Sequence, residues 1–219
     1  MKSRLFTLLF LIAVTASFGQ VRKGSTMITG SFNYNRNADP GFQFVSIGQT
    51  IIDQTNAYAS VGSLLGPRFA IGLDLNVNYR FFELDQSSFT GGTFRHVETS
   101  SVVTPGIFVR NYFPLSEKFA AFVEGGYGLG FGNTHTTNYA TGASGPSGSS
   151  DGTSKTNTIR LTAGLNYFIT NRFALECSPG VITWSMKNPN YGESTSGVNT
   201  AIGLKNLTFG FVFFLGGTE

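Results

Sequence analysis

Residues 69–81 read Phe-Ala-Ile-Gly-Leu-Asp-Leu-Asn-Val-Asn-Tyr-Arg-Phe, and this stretch decides the fold. Every odd-numbered position is apolar or aromatic. Every even-numbered position is small or polar: Ala70, Gly72, Asp74, Asn76, Asn78 and Arg80. A period of two is that of a β-strand with two unlike faces. The stretch therefore predicts a long strand with one apolar face and one polar face.

The same alternation recurs along the chain. It is clear in residues 119–131, 159–169, 173–181 and 207–215, and weaker in 27–35, 57–64 and 103–113. In the run 173–181 we expect Val181 on the apolar face with Phe173. Pro105 departs from strand rules and predicts a bulge in the strand that contains it. Together the runs predict eight strands.

The connections between these strands alternate in length. Three are short and each ends in a basic residue followed by Phe-Ala: 66–70, 116–120 and 170–174. The other four are long and polar, and we place them at about 36–55, 83–100, 134–156 and 186–200. The Gly/Ser-rich residues 143–152 are expected to form a mobile loop. A hairpin in each repeated unit predicts an up-and-down meander.

Composition supports an all-β protein. The 219 residues include 28 Gly and 22 Phe, and only 12% are charged. Such a composition excludes a coiled coil, a charge-rich disordered chain and a charge-rich helical bundle. A single cysteine, Cys177, excludes a disulfide scaffold and a cysteine-based zinc or iron–sulfur site. No cofactor is expected.

Residues 1–19 have the features of a secretory signal peptide. Lys2 and Arg4 precede an apolar core over 5–16, and small residues at 17 and 19 place cleavage before Gln20. The core is too short for a membrane-spanning helix. Cleavage removes both cations and leaves 13 basic and 12 acidic residues. Nucleic acid is therefore not an expected partner, since it requires a clustered basic face.

The pattern of the mature chain favours a membrane barrel over a soluble one. A soluble meander barrel needs charged residues on its outer face, but here the polar face is mostly Gly, Ser, Thr and Asn. Apolar faces of 10–14 residues, rising about 3.3 Å per residue and tilted by about 40°, span the roughly 25 Å apolar band of an outer-membrane barrel. Aromatic residues lie at both strand ends, as in lipid-interface girdles: Phe69, Phe119 and Phe173 at the short turns, and Tyr79, Phe81, Phe131 and Trp184 at the other rim.

We therefore predict an eight-stranded antiparallel up-and-down transmembrane β-barrel over residues 20–219. The lumen of such a barrel is narrow enough to be filled by side chains. Six charged residues are predicted to face it: Asp74, Arg80, Arg110, Glu124, Arg160 and Glu176. Because an isolated buried charge costs several kcal/mol, we expect them to pair and to plug the lumen. Some could instead lie solvated at the rims.

With eight strands, the signal peptide and a final Leu-Thr-Phe-Gly-Phe-Val-Phe-Phe over 207–214, the chain resembles the small outer-membrane β-barrels, such as the OmpA transmembrane domain and OmpX. The resemblance implies an outer-membrane location in a Gram-negative-type bacterium. It also implies that the short turns face the periplasm and that the four long connections face outward. The chain departs from many such barrels by continuing through residues 216–219 after its last aromatic pair.

The resemblance further implies partners. Outer-membrane lipid and lipopolysaccharide would surround the barrel, and an extracellular ligand could meet its long connections. In such proteins the terminal strand is the signal that the barrel-assembly machinery reads. The residues of this chain that match that role are Leu207, Phe209, Phe211, Phe213 and Phe214.

An enzymatic role has little support in the sequence. Some small barrels are lipid-modifying enzymes with a histidine and a serine at the outer rim. On a strand His96 and Glu98 would share a face, and Ser100 and Ser101 lie close by, but a solvated loop histidine is the simpler interpretation. His135 has no acidic residue nearby in the sequence. We therefore expect no catalytic residues and no metal site, and a structural or surface-interaction role.

Two alternatives to that role stay open beside the rim-located hydrolase. The chain could form a narrow channel or transport barrel, or it could be a soluble secreted barrel. A channel would need an open axis through the lumen, whereas a soluble barrel would need its apolar residues inside.

Overall fold

The computed structural model of the protein describes residues 23–43, 46–88, 92–141, 147–189, 194–203 and 206–216. The expected signal peptide, residues 1–19, and its cleavage junction lie outside these ranges. The strands are β1 (Thr26–Gln43), β2 (Ser46–Leu64), β3 (Phe69–Ser88), β4 (Thr93–Pro114), β5 (Phe119–Thr141), β6 (Gly148–Thr170), β7 (Phe173–Ser178), β8 (Gly180–Pro189), β9 (Thr195–Ile202) and β10 (Thr208–Leu215). Within the described ranges, no helix has the length and hydropathy needed to cross a membrane.

The strands close into a ring. Neighbours from β1 to β7 pair antiparallel in chain order, β7 pairs with β10, and β10 returns to β1. The segments β7 and β8 continue one strand path, and both pair with β6. The segments β9 and β10 form the last path in the same way. The predicted eight-stranded antiparallel up-and-down barrel is therefore confirmed, and in the described residues it consists of eight paths built from ten segments.

The long connections were predicted too long. The strands β1 and β2 pair up to Gln43 and Ser46, so most of the segment 36–55 is strand. Similarly β5 and β6 pair from Thr134 to Asn138 against Gly152 to Gly148, inside the expected loop 134–156. The mobile loop expected at 143–152 is wrong for residues 148–152, which lie in β6. In this region both faces of the strands carry polar side chains, so the sequence does not alternate between apolar and polar residues. The backbones nevertheless pair, which the sequence pattern could not indicate.

Pro105 produces no bulge. Leu75 pairs with Pro105 in unbroken register with β3. On the other side, the register between β4 and β5 is the same before and after this position, from Val103 with Phe131 to Gly106 with Gly128. The proline therefore lies within a regular strand, and the predicted bulge is wrong.

A bulge instead separates β7 from β8. Cys177 pairs with Leu165 but Val181 pairs with Thr162, so this strand carries one extra residue. Gly180 adopts a φ of 139°, and the Ser178 hydroxyl donates to the carbonyl oxygen of Ala163. The extra residue reverses the alternation, so Val181 shares the inward face and not the predicted apolar outer face.

The outside of the ring is apolar and the inside is mixed. Large apolar side chains remain exposed along every strand path, as Leu73 does at 62%. The buried apolar side chains lie near the short turns and form a floor across the lumen: Met27, Leu64, Ala70, Phe108, Tyr112, Ala120, Phe122, Phe168, Ala174, Val212 and Phe214. A soluble barrel would show the opposite arrangement, with the apolar face of each strand inside.

Closure rests on the ladder between β1 and β10. It runs from Thr26 with Leu215 to Phe32 with Phe209. Beyond Phe32, the described residues of β1 pair with β2 alone, and those of β9 pair with β8 alone. The ring is thus closed over its short-turn half by direct pairing of the first and last strands.

The register of this closing ladder can be tested by cross-linking. Ile28 lies directly opposite Phe213, whereas Phe211 lies opposite Gly30. In a Cys177→Ser background, Ile28→Cys with Phe213→Cys should oxidise to a disulfide, because directly opposed Cβ atoms are about 4.5–5.5 Å apart. Ile28→Cys with Phe211→Cys is the control, with a diagonal separation of about 7–8 Å. Equal cross-linking of both pairs on non-reducing gels would contradict this register.

Candidate functional site: the charged lumen

Five charged side chains meet inside the barrel, one from each of five consecutive strand paths. They are Asp74 of β3, Arg110 of β4, Glu124 of β5, Arg160 of β6 and Glu176 of β7. Each occupies a position on the polar face of its strand, and closure turns that face toward the axis. Most of the apolar floor lies between this cluster and the short turns.

Arg110 is the centre of the cluster. Its Nε donates to Glu124 Oε2 at 2.8 Å, and its Nη1 donates to Glu176 Oε2 at 2.5 Å. The guanidinium lies over the Phe122 ring, 4.2 Å from the centroid. The Arg110 side chain is only 1% exposed. Two carboxylates and an aromatic face together compensate the desolvation of this cation.

Arg160 joins the remaining acid to the cluster. Its Nη2 donates to Asp74 Oδ2 at 2.5 Å and lies 3.6 Å from Glu124 Oε1. Tyr58 stabilises the junction, since its hydroxyl donates to Glu124 Oε1 at 3.0 Å. A continuous chain of contacts therefore runs from Asp74 through Arg160, Glu124 and Arg110 to Glu176. It contains three carboxylates and two guanidiniums.

Arg80 does not join this chain of contacts. The structure places it 3.7 Å from Glu98, with its side chain 42% exposed. Its guanidinium also lies 5.5 Å from the centroid of the Phe82 ring. Arg80 lies six residues beyond Asp74 on the same face of β3, on the side away from the short turns. It is therefore too far along the strand to contact the five-residue cluster.

Sequence reasoning did not assign three aromatic residues to the cluster: Tyr58, Tyr112 and Phe122. The Tyr112 hydroxyl accepts from Arg110 Nη1 at 3.4 Å and donates to Met27 Sδ at 2.9 Å, so it connects the cluster to the floor. The sequence could have identified them, because each is an aromatic residue on a strand face that otherwise carries small and polar residues. Such a residue must fill lumen volume, because the alternation of its strand turns it toward the axis.

Gly126 leaves room for the Arg160 guanidinium. A Cβ at Gly126 would lie 2.7 Å from Arg160 Nη2 and 2.9 Å from Cζ. Arg160 cannot easily move away, because Asp74 and Glu124 fix it from the other side. The glycine-rich polar face of β5 is thus part of the site, since it makes space for the side chains opposite.

Asn166 is buried beside the cluster without a partner. Neither its Nδ2 nor its Oδ1 has a hydrogen bond within the described part of the chain, and the residue is fully buried. It pairs across the strands with Glu176, so both side chains face the lumen. An unpaired buried amide is destabilising by about 1–3 kcal/mol, which the rest of the lumen must offset.

The terminal-strand residues divide between the two faces. Phe209, Phe211 and Phe213 are exposed on the outer surface, whereas Phe214 is buried in the floor and stacks on Phe168 at 5.9 Å. Leu207 precedes β10, and its carbonyl oxygen accepts from Asn33 Nδ2 at 3.0 Å.

The two histidines have partners that the sequence did not predict. His96 Nδ1 lies 2.6 Å from Asn138 Oδ1, while Glu98 pairs with Arg80 instead. His135 was expected to have no nearby acid, but the β5–β6 hairpin brings Asp151 Oδ1 to 2.6 Å from its Nδ1. In the described ranges, no group of three or more His, Cys, Asp or Glu side chains could hold a metal ion.

The chain was compared with known families and structures. No family model matches the sequence, and no curated protein matches it. Among solved structures, the outer membrane protein OprG of Pseudomonas aeruginosa matches with a TM-score of 0.45 at 12% identity, covering 91% of this chain and 99% of that one. The attachment invasion locus protein Ail of Yersinia pestis matches with a TM-score of 0.37 at 14% identity, covering 88% and 99%.

A third match is the N-terminal β-barrel domain of Pseudomonas aeruginosa OprF. Its TM-score is 0.29 at 13% identity, and the match covers 89% of this chain and 99% of that domain. Of these three proteins, the first is an outer membrane protein and the third is a β-barrel domain. The architecture of this chain is established independently, by its own strand pairing.

Substitutions at two neighbouring glycines test whether Arg160 needs the space that Gly126 leaves. Gly126→Ala should lower the free energy of unfolding by about 1–3 kcal/mol, because the new methyl group displaces a guanidinium fixed by two acids. Gly125→Ala is the matched control, since a Cβ there meets only Val109 Cγ2 at 3.8 Å. Urea unfolding in detergent micelles, read from the gel mobility of the folded band, measures both. Equal losses would show that lumen packing is not the cause.

The central role of Arg110 predicts a large effect of its removal. Arg110→Leu leaves Glu124 and Glu176 without their main partner and should destabilise the barrel by about 3–5 kcal/mol. Arg80→Leu is the comparison, and it should cost about 1 kcal/mol or less because its ion pair is solvated. The same urea titration applies, and similar midpoints for the two variants would contradict a buried network centred on Arg110.

Proposed function

We propose that the chain is an integral outer-membrane β-barrel with a plugged lumen and a structural or surface-interaction role. One observation carries the proposal: the apolar face of each strand path points outward, while charged residues point to the axis. Soluble proteins rarely expose large contiguous apolar surface, and a barrel in lipid must expose it.

The dimensions of the apolar surface suit a membrane. On β3 it extends from Phe69 beside the short turn to Tyr79, and on β5 from Phe119 to Phe131. At about 3.3 Å per residue and a tilt of about 40°, these stretches cover the roughly 25 Å of an outer-membrane apolar band. Exposed aromatic residues at both ends agree with interfacial girdles.

The closed lumen supports a role other than a steady channel. The floor of aromatic and aliphatic side chains fills the end near the short turns, and the Arg110 cluster fills the next layer. Breaking one buried ion pair costs several kcal/mol, so thermal opening of this plug is rare. This arrangement argues against the alternative of a transport barrel.

The tall hairpins support a role at the cell surface. The strand β5 has 23 residues, of which Phe119–Phe131 suffice to cross the band. The remaining residues of β5 and their partners in β4 and β6 project beyond the upper girdle, and most of their side chains are polar on both faces. We assign the contact with an extracellular partner to this projecting wall.

The outward row of Phe209, Phe211 and Phe213 supports a further part of the proposal. A terminal strand that alternates aromatic and small residues would pair with the assembly machinery before it closes on β1. Phe214 then has a different role, since it packs into the floor of the finished barrel.

Membrane insertion can be tested by a charge on the outer surface. Leu73→Arg should lower the free energy of unfolding in lipid vesicles by about 2–4 kcal/mol, because Leu73 lies in the middle of the apolar band. Tyr139→Arg is the control, an exposed outer position in the projecting wall where an arginine stays in water. Urea titration of the folded fraction measures both variants. A soluble secreted barrel would tolerate the two substitutions equally.

A further inference from the structure

A polar recess lies on the outer surface of the projecting wall. It spans β4, β5 and β6, has a volume of about 310 Å³, and is lined mainly by Thr99, Ser101, Asn133, His135, Asp151 and Thr153. The register arranges these side chains in two parallel rows, one of Ser101, Asn133 and Thr153 and the next of Thr99, His135 and Asp151. Each row crosses the same three strands.

The recess lies directly above the apolar band. The row immediately below it consists of Val103, Phe131 and Lys155. Phe131 belongs to the upper aromatic girdle and is exposed. Two residues along a strand correspond to about 6–7 Å, so the recess starts where acyl chains end and lipid headgroups begin.

The two ionisable groups of the recess are oriented by each other and accessible. His135 Nδ1 lies 2.6 Å from Asp151 Oδ1, and His135 Nε2 lies 3.2 Å from the Thr137 hydroxyl. Their side chains are nevertheless 59% and 84% exposed. The two hydrogen bonds fix the imidazole ring, so His135 presents a ring face and its carbon edge to the recess, while Asp151 Oδ2 takes no part in these two contacts.

The chemistry of the lining suits a ligand rich in hydroxyl groups. Carboxylate, imidazole, amide and hydroxyl groups offer both donors and acceptors in a small area. Phe131 provides an aromatic surface next to them for the apolar face of a sugar ring. The charges of Asp151 and Lys155 oppose each other, so the recess lacks the excess of cations that would select a phosphate group.

We propose that this recess binds the saccharide headgroup of a glycolipid in the outer leaflet. The inference rests on the proposed membrane location, because that location brings the headgroup to the recess. The acyl chains of the bound lipid lie along the apolar surface below Phe131, and the sugar reaches the rows of Asn133 and His135. Anchoring of the lipid in the bilayer raises its effective concentration, so modest polar contacts suffice.

The test uses the full-length mature protein in lipid nanodiscs and a fluorescently labelled lipopolysaccharide with a complete core saccharide. His135→Ala and Asn133→Ala should each weaken its saturable binding by about tenfold. Arg36→Ala is the matched control. It removes a polar side chain two residues above Tyr34 on β1, four strand paths around the ring from β5, and should leave binding unchanged.

Two further probes separate the possible ligands. A lipopolysaccharide truncated to remove the core saccharide should bind the wild type as weakly as the complete lipid binds His135→Ala. Equal binding of complete and truncated lipids, or unchanged binding in both recess variants, would overturn the proposal. The proposal would also be overturned if the free core saccharide displaced the labelled lipid at the concentration at which unlabelled intact lipid does so. The ligand would then be a soluble sugar.

The proposed membrane location is tested separately in the same preparation. Faster gel migration of the unboiled protein reports insertion and folding in the nanodisc. If the protein does not insert, the membrane location itself is wrong. If it inserts and folds but the recess variants bind like the wild type, only the glycolipid site is wrong.

Discussion

In the proposed membrane location, where water is absent, the backbone amides and carbonyls that cross the apolar band have to be paired within the sheet. An open sheet would leave two unpaired edges, so the first and last strands must meet. In this chain they meet through the ladder of Thr26–Phe32 with Phe209–Leu215. Closure then fixes which side chains face lipid and which face the axis, because the alternation on every strand is tied to the same ring. The inverted distribution of polarity follows from closure and the period of two.

Eight strands make a narrow interior, and this width explains the composition of the polar face. Large groups such as Arg160 fit only where a small residue such as Gly126 faces them. Charged groups that enter such a space lose their water, so each needs partners that the neighbouring strands supply. Arg110 obtains a carboxylate from the adjacent strand β5 and another from β7. Glycine content and ion pairing are therefore two results of the same restriction on volume.

The sequence predicted the fold well and the site in part, for physical reasons that differ between residues. Alternation over 69–81 identifies a strand because its two faces meet different surroundings, the outside of the barrel and the lumen. Above the girdles both faces meet water, so the strand at Thr134–Asn138 carries no such signal. The face of Val181 was wrong because a bulge inserts one residue without changing the residue types around it. Arg80 has the same parity as Asp74, but height along the strand, which parity does not encode, separates the two.

The origin of stability differs between the two surfaces of this barrel. A soluble domain gains stability by removing apolar side chains from water into its own core. Here most large apolar side chains lie on the outside, so folding alone leaves them exposed, and the proposed lipid environment would remove them from water. The interior retains a small floor around Phe122 and Phe214, above which a cluster with one more carboxylate than guanidinium is buried.

Such a cluster contributes specificity of register more than net stability, because its pairs form only when each strand stands at the correct height. A slip of two residues would keep lipid-facing and lumen-facing side chains on their proper sides, yet it would separate Arg110 from Glu124. The lumen charges thus select one register among those that the apolar surface alone would accept.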